Sequence, residues 1–355
     1  MYAFLADVHL GVKLPKGDFH ESLLRFLNCI KANKEPCHAI FVCGDLFDHR
    51  LSIEDAKFAA FFIRVLCENF CGKGSRQHVP VYFVHGTFSH DQAQYQIFTD
   101  IIQHLPNVHL FVIEKACVSP LIDTGVKCLF LPQEYGDVDY GKLLEDQYDL
   151  IVGHGPIAST TKNPCKSAKY EIVHSAEQLG KISKLCVFGH YHGFTDFGNN
   201  VYYAGPWLRW KYGEDEPRVF FFCDDNFKVF TEPNGVAKEF ETIEIHNPEE
   251  LREYTSQQTD HPVRFMIESS QNDMETYRGI INSNKSDPNL KFQLTEIIDE
   301  DDLGLTVDEV IEAQMEAVQP VPALVSFIKD KYGIDAEEQL HEYESQINKE
   351  EPKNG

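Results

Sequence analysis

Three short, almost wholly apolar runs, YAFLA (2–6), HAIFVCG (38–44) and VPVYFVHG (79–86), set the tightest constraint on the fold. Successive side chains of a strand point to opposite faces, so a strand that is apolar throughout must be covered on both. Each run precedes a stretch of helical periodicity: FHESLLRFLNCIKANK (19–34), with Phe19, Leu23, Leu24, Leu27 and Ile30 recurring on it, EDAKFAAFFIRVLCENF (54–70), and QAQYQIFTDIIQHL (92–105). Such alternation builds a largely parallel sheet with helices packed on it. Beyond residue 108 the helical patterns thin out, and VHLFVI, KCLFLPQ, YDLIVGHG, KLCVFGH, VYYAG and RVFFFCD follow as strands. The expected fold is therefore α/β: two facing mixed β-sheets flanked by helices over residues 1–235. A small α+β capping domain is expected over 240–300, helices over 306–347 and a disordered tail over 348–355.

A chain of 355 residues can bury one sizeable core and carry a smaller appendage. It has no apolar run of about eighteen residues to span a membrane. Its start, MYAFLADVHLG, lacks a basic leader and reads as a first strand, not a signal peptide. The ten cysteines all precede residue 224, are irregularly spaced and form no Cys-x-x-Cys pair, so they read as buried thiols. Those features suit the cytoplasm of a bacterial or phage-infected cell. A net charge of −24 argues against a protein that coats nucleic acid with a basic surface. It leaves room for an enzyme acting on phosphodiesters, because bound metal can outweigh the overall field locally.

Five polar motifs sit where strands end: Asp7-x-His9, Gly44-Asp45 with Asp48, His90-Asp91, Gly153-His154 and Gly189-His190-Tyr191-His192. The carboxyl ends of strands in an α/β protein gather on one rim, where ligands bind. One Asp or His after a strand means little; five on successive strands mark a site. Imidazole nitrogens beside carboxylate oxygens suit Mn²⁺, Fe²⁺ or Zn²⁺. The set is larger than one ion needs and includes no cysteine, which points to two catalytic ions and not to a structural zinc. Two ions about 3.5–4 Å apart clamp a phosphate and lower the pKa of a water between them. A carboxylate has to bridge such a pair, and Asp45, after the Gly44 turn, is the natural candidate. The leaving alkoxide needs a histidine off the metals. His90 fits, with Asp91 close enough to orient or charge it; His85 is the competitor.

These motifs resemble the calcineurin-like metallophosphoesterase superfamily. ADVHLG (6–11) and GDLFDHR (44–50) look most like its DNA-nuclease branch, the SbcD-type subunits of exonuclease complexes. The likeness covers residues 1–235 and implies a four-layer sandwich. It implies one ion held by Asp7, His9, Asp45 and His192, and a second held by Asp45, His154, His190 and an asparagine of the third motif. The histidine after that asparagine, here His90, would protonate the leaving group. The third motif departs from the family's Gly-Asn-His-Asp: it reads Gly86-Thr87-Phe88-Ser89-His90-Asp91, without the asparagine and with two added residues. Thr87 Oγ, Ser89 Oγ, a backbone carbonyl or water stand as replacements, and affinity or specificity at the second ion is the property affected.

Arg50, Arg209 and Lys211, with Lys13 and His49, are candidates for holding substrate phosphate. Trp207, Trp210 and Tyr212 are candidates for stacking on bases, the alternative being a hydrophobic lid. Lys162, Lys166 and Lys169 form a modest basic cluster that either tracks a DNA backbone or is solvated loop. The expected function is a nuclease subunit, exonuclease or endonuclease, that hydrolyses DNA phosphodiesters with two divalent ions. Mn²⁺ comes first, with Mg²⁺, Fe²⁺ or Zn²⁺ as alternatives. The resemblance implies work in DNA end processing for replication, recombination and repair, with DNA and an SbcC-type coiled-coil ATPase as partners. Leu324, Phe327, Ile328 and Tyr332, apolar at helical spacing within 320–343, are the expected dock; a homodimer is a further candidate assembly, and no membrane is expected. Two alternatives share the motifs: a free-standing phosphatase or small-molecule phosphodiesterase, and a non-catalytic binding protein.

Overall fold

The computed structural model describes residues 1–68, 79–91, 94–102, 110–135, 138–162, 172–214, 216–257, 259, 261–269, 271–287 and 289–296. The expected C-terminal helices with Leu324, Phe327, Ile328 and Tyr332 lie outside the described residues, as do Lys166 and Lys169.

The apolar runs do form strands, and the periodic stretches helices. In chain order the first elements are β1 (Tyr2–Leu5), α1 (Lys16–Ala32), β2 (Ala39–Cys43), α2 (Ile53–Cys67), β3 (Val81–Val84), α3 (Phe88–Asp91), α4 (Tyr95–Ile102) and β4 (Leu110–Ile113). There follow β5 (Cys117–Pro120), β6 (Lys127–Leu131), β7 (Tyr148–His154), β8 (Ile157–Ala158), β9 (His174–Ser175), α5 (Ala176–Ile182) and β10 (Ser183–Gly189). Then come β11 (Thr195–Gly198), β12 (Val201–Tyr203), β13 (Val219–Cys223) and β14 (Val229–Pro233).

Two six-stranded sheets result, ordered β14-β13-β1-β2-β3-β4 and β11-β12-β10-β7-β6-β5. Both are mixed. β1 to β4 run parallel while β13 pairs antiparallel with β1. β6, β7, β10 and β12 run parallel while β5 and β11 are antiparallel edges.

Because side chains alternate along a strand, each sheet feeds two cores. Between the sheets, Tyr2, Phe4, Phe41 and Tyr82 meet Phe130, Leu150, Val152, Leu185 and Val187. Phe4, Phe41, Tyr82 and Phe111 stack in sequence across β1, β2, β3 and β4, with ring centroids 5.1, 5.3 and 4.8 Å apart. On the outer face of the first sheet, Leu5, Ile40, Val42 and Phe83 pack with Leu23 and Phe26 of α1 and Phe62 and Leu66 of α2. On the outer face of the second, Leu129, Ile151 and Cys186 pack with Ala176, Leu179 and Ile182 of α5. The order helix, sheet, sheet, helix is the expected four-layer α/β sandwich.

The remaining elements are β15 (Glu241–Ile245), α6 (Pro248–Ser256), β16 (Val263–Ser269), α7 (Gln271–Asn284) and β17 (Leu290–Glu296), with strand order β15-β16-β17. By packing, the chain divides into two compact units. Among the described residues, one comprises Met1–Glu244, Thr255–Met266 and Asn284–Phe292; the other comprises Ile245–Tyr254, Ile267–Ser283 and residues 293–296. Among the described residues no helix is long and apolar enough to cross a membrane.

Candidate metal centre

The carboxyl ends of β1, β2, β3, β7 and β10 carry the motifs, and the two sheets touch there. His154 Nδ1, at the end of β7, donates to the Cys43 carbonyl at 2.8 Å, and the His190 amide donates to Asp7 Oδ1 at 2.8 Å. Only glycine permits so close an approach: a Cβ on Gly189 would lie 2.1 Å from the Cys43 oxygen, and one on Gly44 2.1 Å from His154 Nδ1. The turns that leave the strands are strained. Asp7 (φ 49°), His9 (φ 50°), Asp45 (φ 47°) and His190 (φ 119°) all lie at positive φ. Such backbone costs about 1–3 kcal/mol per residue and persists where the surroundings enforce it. Here the strain falls on residues singled out from the sequence as ligands.

Potential ligands gather around Asp45 in overlapping groups. Asp45 Oδ2 is 3.9 Å from His9 Nε2 and 3.3 Å from His154 Nε2. Asp7, His9 and His192 form one group, Asp7, Asp45 and His154 a second, and His9, Asp48 and His90 a third, each with ligand atoms within 4.8 Å of one another. His9 Nε2 and His192 Nε2 are 3.2 Å apart. Two imidazole nitrogens at that distance need a proton or a cation between them. The far nitrogen of each ring meets a carboxylate: His192 Nδ1 is 3.2 Å from Glu214 Oε1, and His9 Nδ1 is 3.3 Å from Asp48 Oδ1, off the line of a hydrogen bond. Carboxylates behind imidazoles are how proteins orient metal-binding histidines. His190 stands beside these groups, its ring perpendicular to that of His154 at 5.4 Å.

The electrostatics fit a cation. Burial raises the Asp7 carboxyl above its ordinary range, the neighbouring Asp45 adds to the rise, and Asp7 Oδ2 is a buried oxygen without a hydrogen-bond partner. Burial also opposes ionisation of Asp45, but His154, His9 and His90 overcome it and hold that carboxyl below its usual value. Burial lowers His154, yet Asp45 and Asp7 outweigh it and lift the imidazole to about 9. Burial and then His154 push His190 down to about 3. Buried carboxylates facing clustered imidazoles are costly unless charge is matched, and divalent cations match it. Asp7, His9, Asp45 and His192 could hold one ion, and Asp45, His154 and His190 a second.

The third-motif loop separates His90 from Asp91. His90 Nδ1 faces the Asp48 carbonyl, which can only accept, so the proton on that nitrogen is fixed and Nε2 is left to exchange protons. The His90 ring stands perpendicular to His9 at 4.8 Å. Asp91 does not pair with it, contrary to expectation. Its carboxylate accepts from the amides of Asp45 (3.1 Å), Phe47 (3.3 Å) and Gly86 (2.7 Å) and from the Tyr95 hydroxyl (3.2 Å). Burial, then the charge of Asp45, push it up to about 7. Asp91 is thus a buried clamp between the second and third motifs. Of the two candidate hydroxyls, Thr87 Oγ1 reaches Asp45 Oδ2 at 3.1 Å, while Ser89 is exposed on α3. His85 Nε2 is buried without a hydrogen-bond partner, and its ring lies 4.9 Å from that of Tyr95.

The family profile described as calcineurin-like phosphoesterase matches residues 2–194, more than half of the chain. The chain belongs to the calcineurin-like phosphoesterase family. No curated protein matches it. Membership supports phosphoester hydrolysis with divalent metal, and the calcineurin-like domain brings together Asp and His residues that could hold such ions.

Around this phosphoesterase centre several expectations need correction. Arg209 is not available to phosphate: its guanidinium donates to the carbonyls of Glu214, Glu216, Ala237 and Lys238. Trp207 is core, against Phe26, Phe62 and Phe220. Tyr212 packs on Phe240, with Arg264 and Lys291 over its ring. Lys162 Nζ donates to the Asp196 carbonyl. Trp210 does reach the centre, its ring 4.7 Å from His9 and 4.8 Å from His192. Arg50 and Lys211 are exposed. Glu214 and Arg218 were not anticipated: Arg218 donates to Glu214 Oε2 at 2.9 Å and to the His192 carbonyl at 2.8 Å. Only the nearness of Glu214 and Arg218 to Trp210 in sequence hinted at them.

Proposed function

We propose that this calcineurin-like phosphoesterase is the nuclease subunit of a DNA end-processing machine and cleaves DNA phosphodiester bonds. The observation that carries the reading is the place of Asp45 Oδ2 between His9 Nε2 and His154 Nε2, at 3.9 and 3.3 Å. Two divalent ions, Mn²⁺ first among them, would there neutralise a phosphodiester and activate water. Asp45 joins the two halves, Asp48 and Glu214 set the rings of His9 and His192, and His90 offers Nε2 to the leaving oxygen. DNA as substrate is supported by the ADVHLG and GDLFDHR motifs and by two aromatics. Phe88, two residues before His90, is 69% exposed, and Trp210 lies against both histidines. Rings so placed can stack on unpaired bases. The net charge of −24 disfavours strong DNA binding by the chain alone, which supports a coiled-coil ATPase partner, docked through residues 320–343, as the main DNA holder.

The test is digestion of linear duplex and single-stranded DNA by the purified chain with Mn²⁺, with and without its ATPase and ATP. Degradation that ATP and the partner accelerate is expected. No degradation in any arm, with turnover of a phosphomonoester instead, would replace this reading with that of a free-standing phosphatase.

A further inference from the structure

Thr87 stands where the family's third motif has asparagine, and the structure shows what gathers around it. The Thr87 amide donates to Asp45 Oδ1 at 2.6 Å, and its Oγ1 lies 3.1 Å from Asp45 Oδ2 and 3.5 Å from His154 Nε2. The same Oγ1 lies 3.1 Å from Gln133 Oε1. Gln133 follows β6 of the second sheet, so it reaches the centre from another strand. It is buried, and its amide donates to the His85 carbonyl at 3.1 Å, which ties it to the end of β3.

Through Thr87 Oγ1 the Gln133 amide oxygen stands at the edge of the group that Asp45 and His154 form. An amide oxygen is a stronger neutral donor to a hard cation than a hydroxyl, and its two lone pairs let it ligate a cation while accepting a hydrogen bond. We propose that Gln133 Oε1 supplies the neutral amide oxygen for the ion held by Asp45, His154 and His190, with the Thr87 hydroxyl as its support. The amide missing from the motif loop is thereby delivered from β6. This inference rests on the two-cation reading.

Metal-free full-length protein, titrated with Mn²⁺ by calorimetry and followed by the electron paramagnetic resonance signal of exchange-coupled ions, tests it. The wild type should take two ions and show the coupled signal. Gln133→Leu should keep one ion, bind the second roughly 10–100-fold more weakly and lose the coupled signal. Gln133→Glu retains an oxygen there and should retain both ions, which a merely misfolded variant would not do. Adding Thr87→Asn to Gln133→Leu should restore the second ion. Two ions with an unchanged coupled signal in Gln133→Leu would overturn the role of Gln133 and leave the two-cation reading standing. A wild type without an ion pair would overturn that reading and this inference with it.

Discussion

His90 and Asp91 are neighbours in sequence with separate partners. Successive residues of a helix point about 100° apart, so once α3 forms, the two side chains cannot face one target. His90 turns to the Asp48 carbonyl and Asp91 to the amides of Asp45, Phe47 and Gly86. The motif residues were legible because each is a lone polar group after an apolar strand. Glu214 and Gln133 were not, because they arrive from distant segments and their meaning depends on contacts. His90→Ala should slow cleavage roughly 10²–10⁴-fold while leaving metal binding nearly intact. The loss should shrink on a p-nitrophenyl diester, whose leaving group scarcely needs a proton. Equal losses on both substrates would show that His90 acts through the metals or the loop.

At the scale of elements, the long strands were legible because a short run apolar on both faces has to be covered on both, which places it inside a layered sheet. Two pieces escaped. α5 has seven residues, with Gly180 inside and only Ala176, Leu179 and Ile182 buried, too short a period to stand out. β5 is a half-exposed edge. Beside α5, β9 brings His174 against Phe188 and Tyr140, with ring centroids 5.4 and 5.8 Å away. Burial holds its imidazole down to about 4, against an ordinary 6.5. Between those values the unfolded chain binds a proton that the folded one refuses, so folding stability falls as pH drops through that window. Between pH 7.5 and 4.5 the loss from this group is on the order of 2–3 kcal/mol. His174→Phe should remove that increment. Urea unfolding of the metal-free wild type and variant at both pH values checks it, and equal pH dependence in the two would contradict it.

Over the whole molecule, the four-layer arrangement was readable from the order of strands and helices, whereas the way the sheets meet was not. That meeting depends on glycine positions and on positive φ at Asp7, His9, Asp45 and His190, which no hydropathy pattern reports. The proposed centre belongs to neither sheet alone: Asp7, His9 and Asp45 come from one, His154, His190 and His192 from the other, and Asp45, with Oδ2 3.9 Å from His9 Nε2 and 3.3 Å from His154 Nε2, is the carboxylate that two ions would share. Calorimetric titration of the metal-free full chain with Mn²⁺, wild type against Asp45→Asn, tests this most directly. Two ions bound by the wild type, with both weakened and hydrolysis abolished in Asp45→Asn, is the predicted result. Two unchanged Mn²⁺ sites in Asp45→Asn would contradict it.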